Sequence, residues 1–208
     1  WRPNISEVMA EKTSLSGLEL APDGLFVRGF VPAIGSDNST VIGSIEVALP
    51  LDESFIAALK SAYGGDWNIL LSRAVIQNVN SQASSSAPKD AVQGAFQPAF
   101  ATGPVDELVL HATTYPDTIY GLSQAYRQAL QGQASPSQVV RSGINYTVIS
   151  LPLRDVAGEI IGVVDVITDR TAALAALRGR MTGILGVGLF ALVLGAAGIT
   201  LILRRLLK

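Results

Sequence analysis

EIIGVVDVITDRTAALAAL, from Glu159 to Leu177, decides how this chain is read, because it is the second copy of a pattern already used at TVIGSIEVALPLDESFIAAL, Thr40 to Leu59. Ile42-Gly43 aligns with Ile161-Gly162, Glu46 with Asp165 and Val47 with Val166, and each copy then runs into an Ala/Leu-rich helix. Upstream, GLFVRGFVPA (Gly24–Ala33) matches GINYTVISLPL (Gly143–Leu153) with Pro32 set on Pro152. The helix NISEVMAEK (Asn4–Lys12) takes the place of TIYGLSQAYRQALQGQ (Thr118–Gln133). A unit of helix, strand, turn, strand and helix therefore occurs twice, and self-similarity of this kind fixes domain organisation before any local reading does.

Within each copy, side chains alternate between the two faces of a strand, so Phe26, Arg28 and Phe30 share one face and Val27, Gly29 and Val31 the other. Turn formers, Gly35 to Asn38 in one copy and Asp155 to Gly158 in the other, fold the chain back into strands at Val41–Ala48 and Ile160–Ile167. Gly43 and Gly162 interrupt β-branched strands, which marks either a packing gap or a close approach by backbone, helix or ligand. Glu46 and Asp165 belong to separate repeats and read as solvent-facing strand acids rather than a catalytic pair. Arg28 can serve a ligand or pair with Glu46 across its hairpin.

Asn78 to Glu107, rich in Ser, Ala, Gln and Pro, reads as a linker. Beyond it a strand begins at Leu108 and breaks at Pro116, and Ile119, Leu122, Ala125, Tyr126 and Ala129 recur at helical spacing. The predicted division is a first unit at 1–77, a linker at 78–107, a second unit at 108–169 and a connecting helix at 170–180. Met181 to Leu203 then carries no charge, and Arg204, Arg205 and Lys208 follow. About 23 apolar residues at 1.5 Å rise cover about 34 Å, enough for a hydrocarbon core of about 30 Å. A single transmembrane helix is predicted at 181–203, with a cytoplasmic basic end at 204–208 and residues 1–180 on the extracytoplasmic side of the cell membrane.

Composition narrows the function. Of 208 residues 49% are hydrophobic and 15% charged, and the net charge is -2, so a core can be buried while nucleic-acid binding lacks a basic face. One histidine and no cysteine leave no Cys/His pair and no cluster with metal-ligand spacing, and neither a GxSxG nor a phosphate-binding Gly motif occurs. No enzyme, no metal and no cofactor are expected. His111 reads as a hydrogen-bonded strand histidine, with a general base as the alternative.

GLELAPDGLFVRGFVPAI and VIGSIEVALPLDESFIAALKSAYGGDWNILL, followed by GINYTVISLPLRDVAGEIIGVVDVITDRTAALAALR and an apolar span, resemble the extracytoplasmic double Cache sensor region of bacterial transmembrane receptors. The resemblance covers nearly the whole chain. It implies an α+β fold of tandem PAS-like units, with antiparallel sheets flanked by helices. It also implies that the sequence is an N-terminally incomplete piece of a chemoreceptor, histidine kinase or cyclase. The pocket of such units lies between the sheet and its covering helix and loop. Here LHATTYPDTIY would supply His111, Thr113, Thr114, Tyr115, Asp117 and Tyr120, and the strand from Gln138 would add Arg141, Asn145 and Tyr146. The candidate ligand-binding set is Arg28, His111, Thr114, Tyr120, Arg141, Tyr146 and Asp165. An anionic ligand would use Arg141, and an amine Asp117 or Asp165. Expected partners are an amino acid, carboxylate or amine ligand, membrane lipid, and a second copy or another membrane protein. The alternative is a non-catalytic, membrane-anchored interaction subunit built on a degenerate sensor fold.

Overall fold

The computed structural model describes residues 3–86, 103–115 and 118–177. A short helix α1 (Pro3–Glu11) leads into a meander of β1 (Leu15–Ala21), β2 (Gly24–Ile34) and β3 (Val41–Pro50), followed by α2 (Glu53–Tyr63). Next come β4 (Asp66–Ser72), α3 (Arg73–Ser86), β5 (Leu108–Thr113) and α4 (Ser123–Leu130), and then a second meander of β6 (Ser135–Arg141), β7 (Ile144–Arg154) and β8 (Ile160–Asp169). Residues 171–177 are again helical. Local chemistry fixes these limits. Asp52 caps α2 by accepting from the amides of Ser54 and Phe55, and Gly64 closes it at φ 73°. In the two hairpin turns Asp37 accepts from the amides of Ser39 and Thr40, and Asp155 from those of Ala157 and Glu159.

The strands form two antiparallel sheets, β1-β2-β3 and β5-β4-β8-β7-β6. The repeat holds down to the register. Leu15 pairs with Phe30 as Ser135 pairs with Ser150, and the pairing slips after Ala33 as it does after Leu153. The repeated unit is thus helix, three strands and helix, one strand more than the sequence pattern suggests.

Three expectations need correction. β4 lies within the 1–77 stretch assigned to the first unit, yet it hydrogen-bonds to β5 and β8 at the centre of the five-stranded sheet. Its partner Ile160–Asp169 is far away in sequence, so no local pattern reports the pairing. Residues 78–86, read as linker, continue α3. Residues 118–122, expected to be helical, form an irregular strap instead, and Leu122 stands at ψ 144° as the N-cap of α4. Among the described residues no helix is long and apolar enough to cross a membrane. The span expected at 181–203 and the basic end at 204–208 lie outside the described residues, as do Pro116 and Asp117.

One apolar cluster joins the sheets. Leu20, Leu25 and Leu51 from the first meander pack with Ile56 of α2, Ile76 of α3, and Ile69, Leu71, Val109, Leu153 and Ile161 of the five-stranded sheet. The Val156 amide also donates to the Leu18 carbonyl at 2.9 Å, which docks the β7–β8 turn on β1. The repeat therefore shares geometry but not surroundings. Ile161 is 3% exposed, whereas its counterpart in the first copy, Ile42, is 72% exposed. Trimming Ile161 to Val should cost about 1 kcal/mol and Ile42→Val close to nothing, read as urea midpoints.

Candidate functional site

The opposite face of the five-stranded sheet carries one row of polar residues. Register places Thr113, Asn68, Asp165, Ser150 and Ser135 side by side across β5, β4, β8, β7 and β6. Apolar clusters flank the row, with Leu70, Leu108, Leu110, Tyr126 and Val163 on one side and Ile119, Tyr146, Val148 and Ile167 on the other. Asn68, Ser150 and Asp165 are each 0% exposed. Asp165, expected to face solvent, is instead the centre of this row.

Its carboxylate has three donors. Ser150 Oγ donates to Oδ1 at 2.7 Å, Tyr126 Oη to Oδ2 at 2.7 Å, and Asn68 Nδ2 to Oδ2 at a long 3.4 Å. Burial raises the Asp165 carboxyl to about 6 against the pull of these three bonds. Burial also raises the Tyr126 hydroxyl, with the neighbouring Asp165 charge adding to it, so Tyr126 stays protonated and donating.

Among the described residues no cation accompanies this acid, and the repeat explains why. In the first meander the equivalent acid, Glu46, pairs with Arg28, which also lies 3.5 Å from Glu19 and 3.6 Å from Asp23. Arg28 is buried with its guanidinium 4.6 Å from the centroid of the Phe26 ring. In the second copy Val148 takes the place of Arg28.

The strap closes over the row and is fastened by side chains at four backbone positions. Arg141 Nη1 donates to the Thr118 carbonyl at 2.7 Å, and Asn68 Nδ2 to the Ile119 carbonyl at 2.9 Å. Tyr126 Oη accepts from the Gly121 amide at 2.8 Å, and Ser137 Oγ from the Leu122 amide at 3.2 Å. Two of the fasteners, Asn68 and Tyr126, are the residues that also bond Asp165. A Cβ at Gly121 would stand 2.6 Å from Ser137 Oγ, so glycine lets the strap lie this close.

Of the candidate residues, Asp165 and Tyr120 meet here, and burial raises the Tyr120 hydroxyl. Arg141 holds one end of the strap, and Tyr146, with its hydroxyl 3.1 Å from that of Tyr115, borders the same face. The other three do not join them. Arg28 serves its own ion pairs. His111 Nε2 lies 3.0 Å from the Leu51 carbonyl on the opposite face, and its pKa is lowered by burial. Thr114 ties strand ends together, donating to Asp66 and accepting from the Trp67 amide. Asn68, Ser150, Tyr126 and Ser137 were missed. For Asn68 and Ser150 the signal is a polar residue among the apolar residues of a strand, as in NILL and VISL, whereas Tyr126 on α4 and Ser137 in SPSQVVR carry no such signal.

β8 also connects the row to the chain's exit. Arg170 N donates to the Asn145 carbonyl at 2.7 Å, and Asn145 N to Thr171 Oγ1 at 2.9 Å. Asp169 caps the 171–177 helix through the Thr171 amide at 2.7 Å. These bonds fasten the start of that helix to the beginning of β7.

The family described as "Double sensory domain of two-component sensor kinase", dCache_3, matches residues 1–174. This chain belongs to that double-sensory-domain family. Membership agrees with the double Cache resemblance and with an α+β structure of antiparallel sheets and a few helices. Comparison with curated proteins gives no match. Within a double sensory domain, the row lies in the sheet whose last strand runs into the 171–177 helix.

Proposed function

We propose that this chain is the extracytoplasmic sensory module of a membrane-bound sensor kinase, converting an event at the 118–122 strap into movement of the helix that begins at residue 171. The observation that carries this reading is the shared use of Asn68 and Tyr126, which hold both the strap and Asp165 on β8. The apolar run at 181–203 supplies the membrane segment, and its uncharged length supports a single crossing. A small molecule entering under the strap meets a carboxylate, which favours an amine over an anion. Ile119, Tyr126 and Tyr146 already occupy that face, so entry requires the strap to lift.

The test is a fusion of residues 1–208 to the cytoplasmic half of a two-component kinase with a transcriptional reporter. Ser137→Ala removes the acceptor for the Leu122 amide, and basal output should change several-fold at equal membrane level. Unchanged output would count against a signalling role for the strap.

One observation favours a second reading, the interaction subunit. Val31 of β2 and Ile45, Val47 and Leu49 of β3 share one face of the smaller sheet and are exposed. On that reading Val47→Asp dissociates an assembly on a sizing column and leaves strap variants without consequence.

A further inference from the structure

A small molecule must displace the side chains beneath the strap, but a proton need not. We propose that the 118–122 strap is a proton-operated latch, closed by proton uptake at Asp165 and loosened when that proton is lost. The geometry accommodates the neutral acid without moving a heavy atom. Oδ1 becomes the hydroxyl and donates to Ser150 Oγ, whose own hydrogen rotates away, while Oδ2 remains an acceptor for Tyr126 and Asn68. The ionised acid, by contrast, is a buried charge that has, among the described residues, no counterpart of the cation that Arg28 supplies to Glu46 in the first copy.

The direction follows from linkage. In the closed arrangement the carboxyl is raised to about 6, whereas a lifted strap returns it to water and towards its ordinary 3.8. The closed form binds the proton more tightly, so acid closes the strap and loss of the proton weakens it. The titratable groups among the described residues on this face do not reverse that sign. Tyr126 from α4 and Tyr120 from the strap are held protonated by burial. Tyr115 and Tyr146 bond each other. Asp66 on β4 is engaged by Lys60 and Thr114, Asp169 ends β8 at Thr171, and Arg141 from β6 reaches Thr118. None of the charged groups is among the causes that shift Asp165.

The latch stands on its own geometry, and only its use as an input rests on the sensor reading. Hydrogen exchange of the Gly121 and Leu122 amides, measured on the 208-residue chain in detergent and corrected for intrinsic rates, tests it. Strap protection should lie below that of the Leu70 amide in the sheet core, which exchanges through global unfolding, and should itself fall about twentyfold between pH 4.5 and 6.5 and then level. In Asp165→Asn, a mimic of the neutral acid, strap protection should stay high and flat. If that variant does not fold, the wild-type profile against Leu70 decides alone. A wild-type strap profile that is flat or rises with pH, or strap protection no lower than that of Leu70, as exchange through global unfolding alone would give, overturns the latch. So does the same twentyfold fall in Asp165→Asn. A flat strap that still alters kinase output in the Ser137→Ala fusion would leave the sensor reading standing.

Discussion

Gly162→Ala is expected to cost roughly 3 kcal/mol or more, while Gly43→Ala, at the matching position of the other repeat, is expected to be neutral or slightly stabilising. A Cβ at Gly162 would lie 2.1 Å from the Leu70 carbonyl oxygen and 3.1 Å from Leu71 Cα. The obstacle is the backbone of β4, which cannot rotate away as a side chain would, so β4 and β8 must separate at the centre of the sheet. At Gly43 nothing lies within 4 Å, and alanine there only narrows the unfolded ensemble. Thermal unfolding of the two variants should therefore diverge by many degrees. Equal melting temperatures would mean that β4 does not pair with β8 as described.

Asp165→Asn should stabilise the protein at neutral pH, against the usual sign for replacing a buried, fully hydrogen-bonded group. The folded carboxyl is raised from 3.8 to about 6, so between those values the folded state holds a proton that the unfolded state has lost. Stability from this group is then complete at acid pH, declines as pH rises towards 6 and is flat above. The decline amounts to about 2 kcal/mol between pH 4.5 and 6.5, and to about 3 kcal/mol over the whole shift. Asparagine keeps the acceptor for Tyr126 and Asn68 and offers an N–H to Ser150, so it removes the slope and should retain the acid-side stability at pH 7. Asp37, Asp52 and Asp169, each lowered chiefly by hydrogen bonds, lose their contribution only at more acid pH. His111, lowered from 6.5 by burial, adds a slope of opposite sign below that value in wild type and variant alike, so the Asp165 slope is the difference between the two. Urea denaturation followed by tryptophan fluorescence at pH 4.5, 5.5 and 7 gives both slopes.

Much of the architecture was legible because two copies of one pattern constrain each other. Pro32 on Pro152 and Gly43 on Gly162 set a register that the strand pairing reproduces, bulge included. What escaped depended on contacts distant in sequence. β4 reads as the tail of the first unit because DWNILLS follows α2, and only its pairing with residues 160–169 puts it elsewhere. Ile119 and Leu122 sit at helical spacing with Ala125 and Tyr126, yet the strap's backbone bonds go to side chains of the sheet and α4 instead of to a helix. Asp165 was misread for the same reason. An acid in a strand is exposed by default, and its burial follows from Val148 standing where the first repeat has Arg28, together with polar partners on strands that the sequence does not show to be adjacent.

The protonation of Asp165 is the point on which the strap, the row and the sensory reading converge, and it can be observed directly. Carboxyl carbon-13 NMR of the chain labelled at aspartate, with the Asp165 resonance assigned by its loss in Asp165→Asn, gives the titration midpoint. The account predicts a midpoint near 6, with the amide shifts of Gly121 and Leu122 moving over the same range. A midpoint at the ordinary 3.8 or below, with strap amides indifferent to pH, would show that Asp165 is hydrated or paired with a cation and would contradict the account.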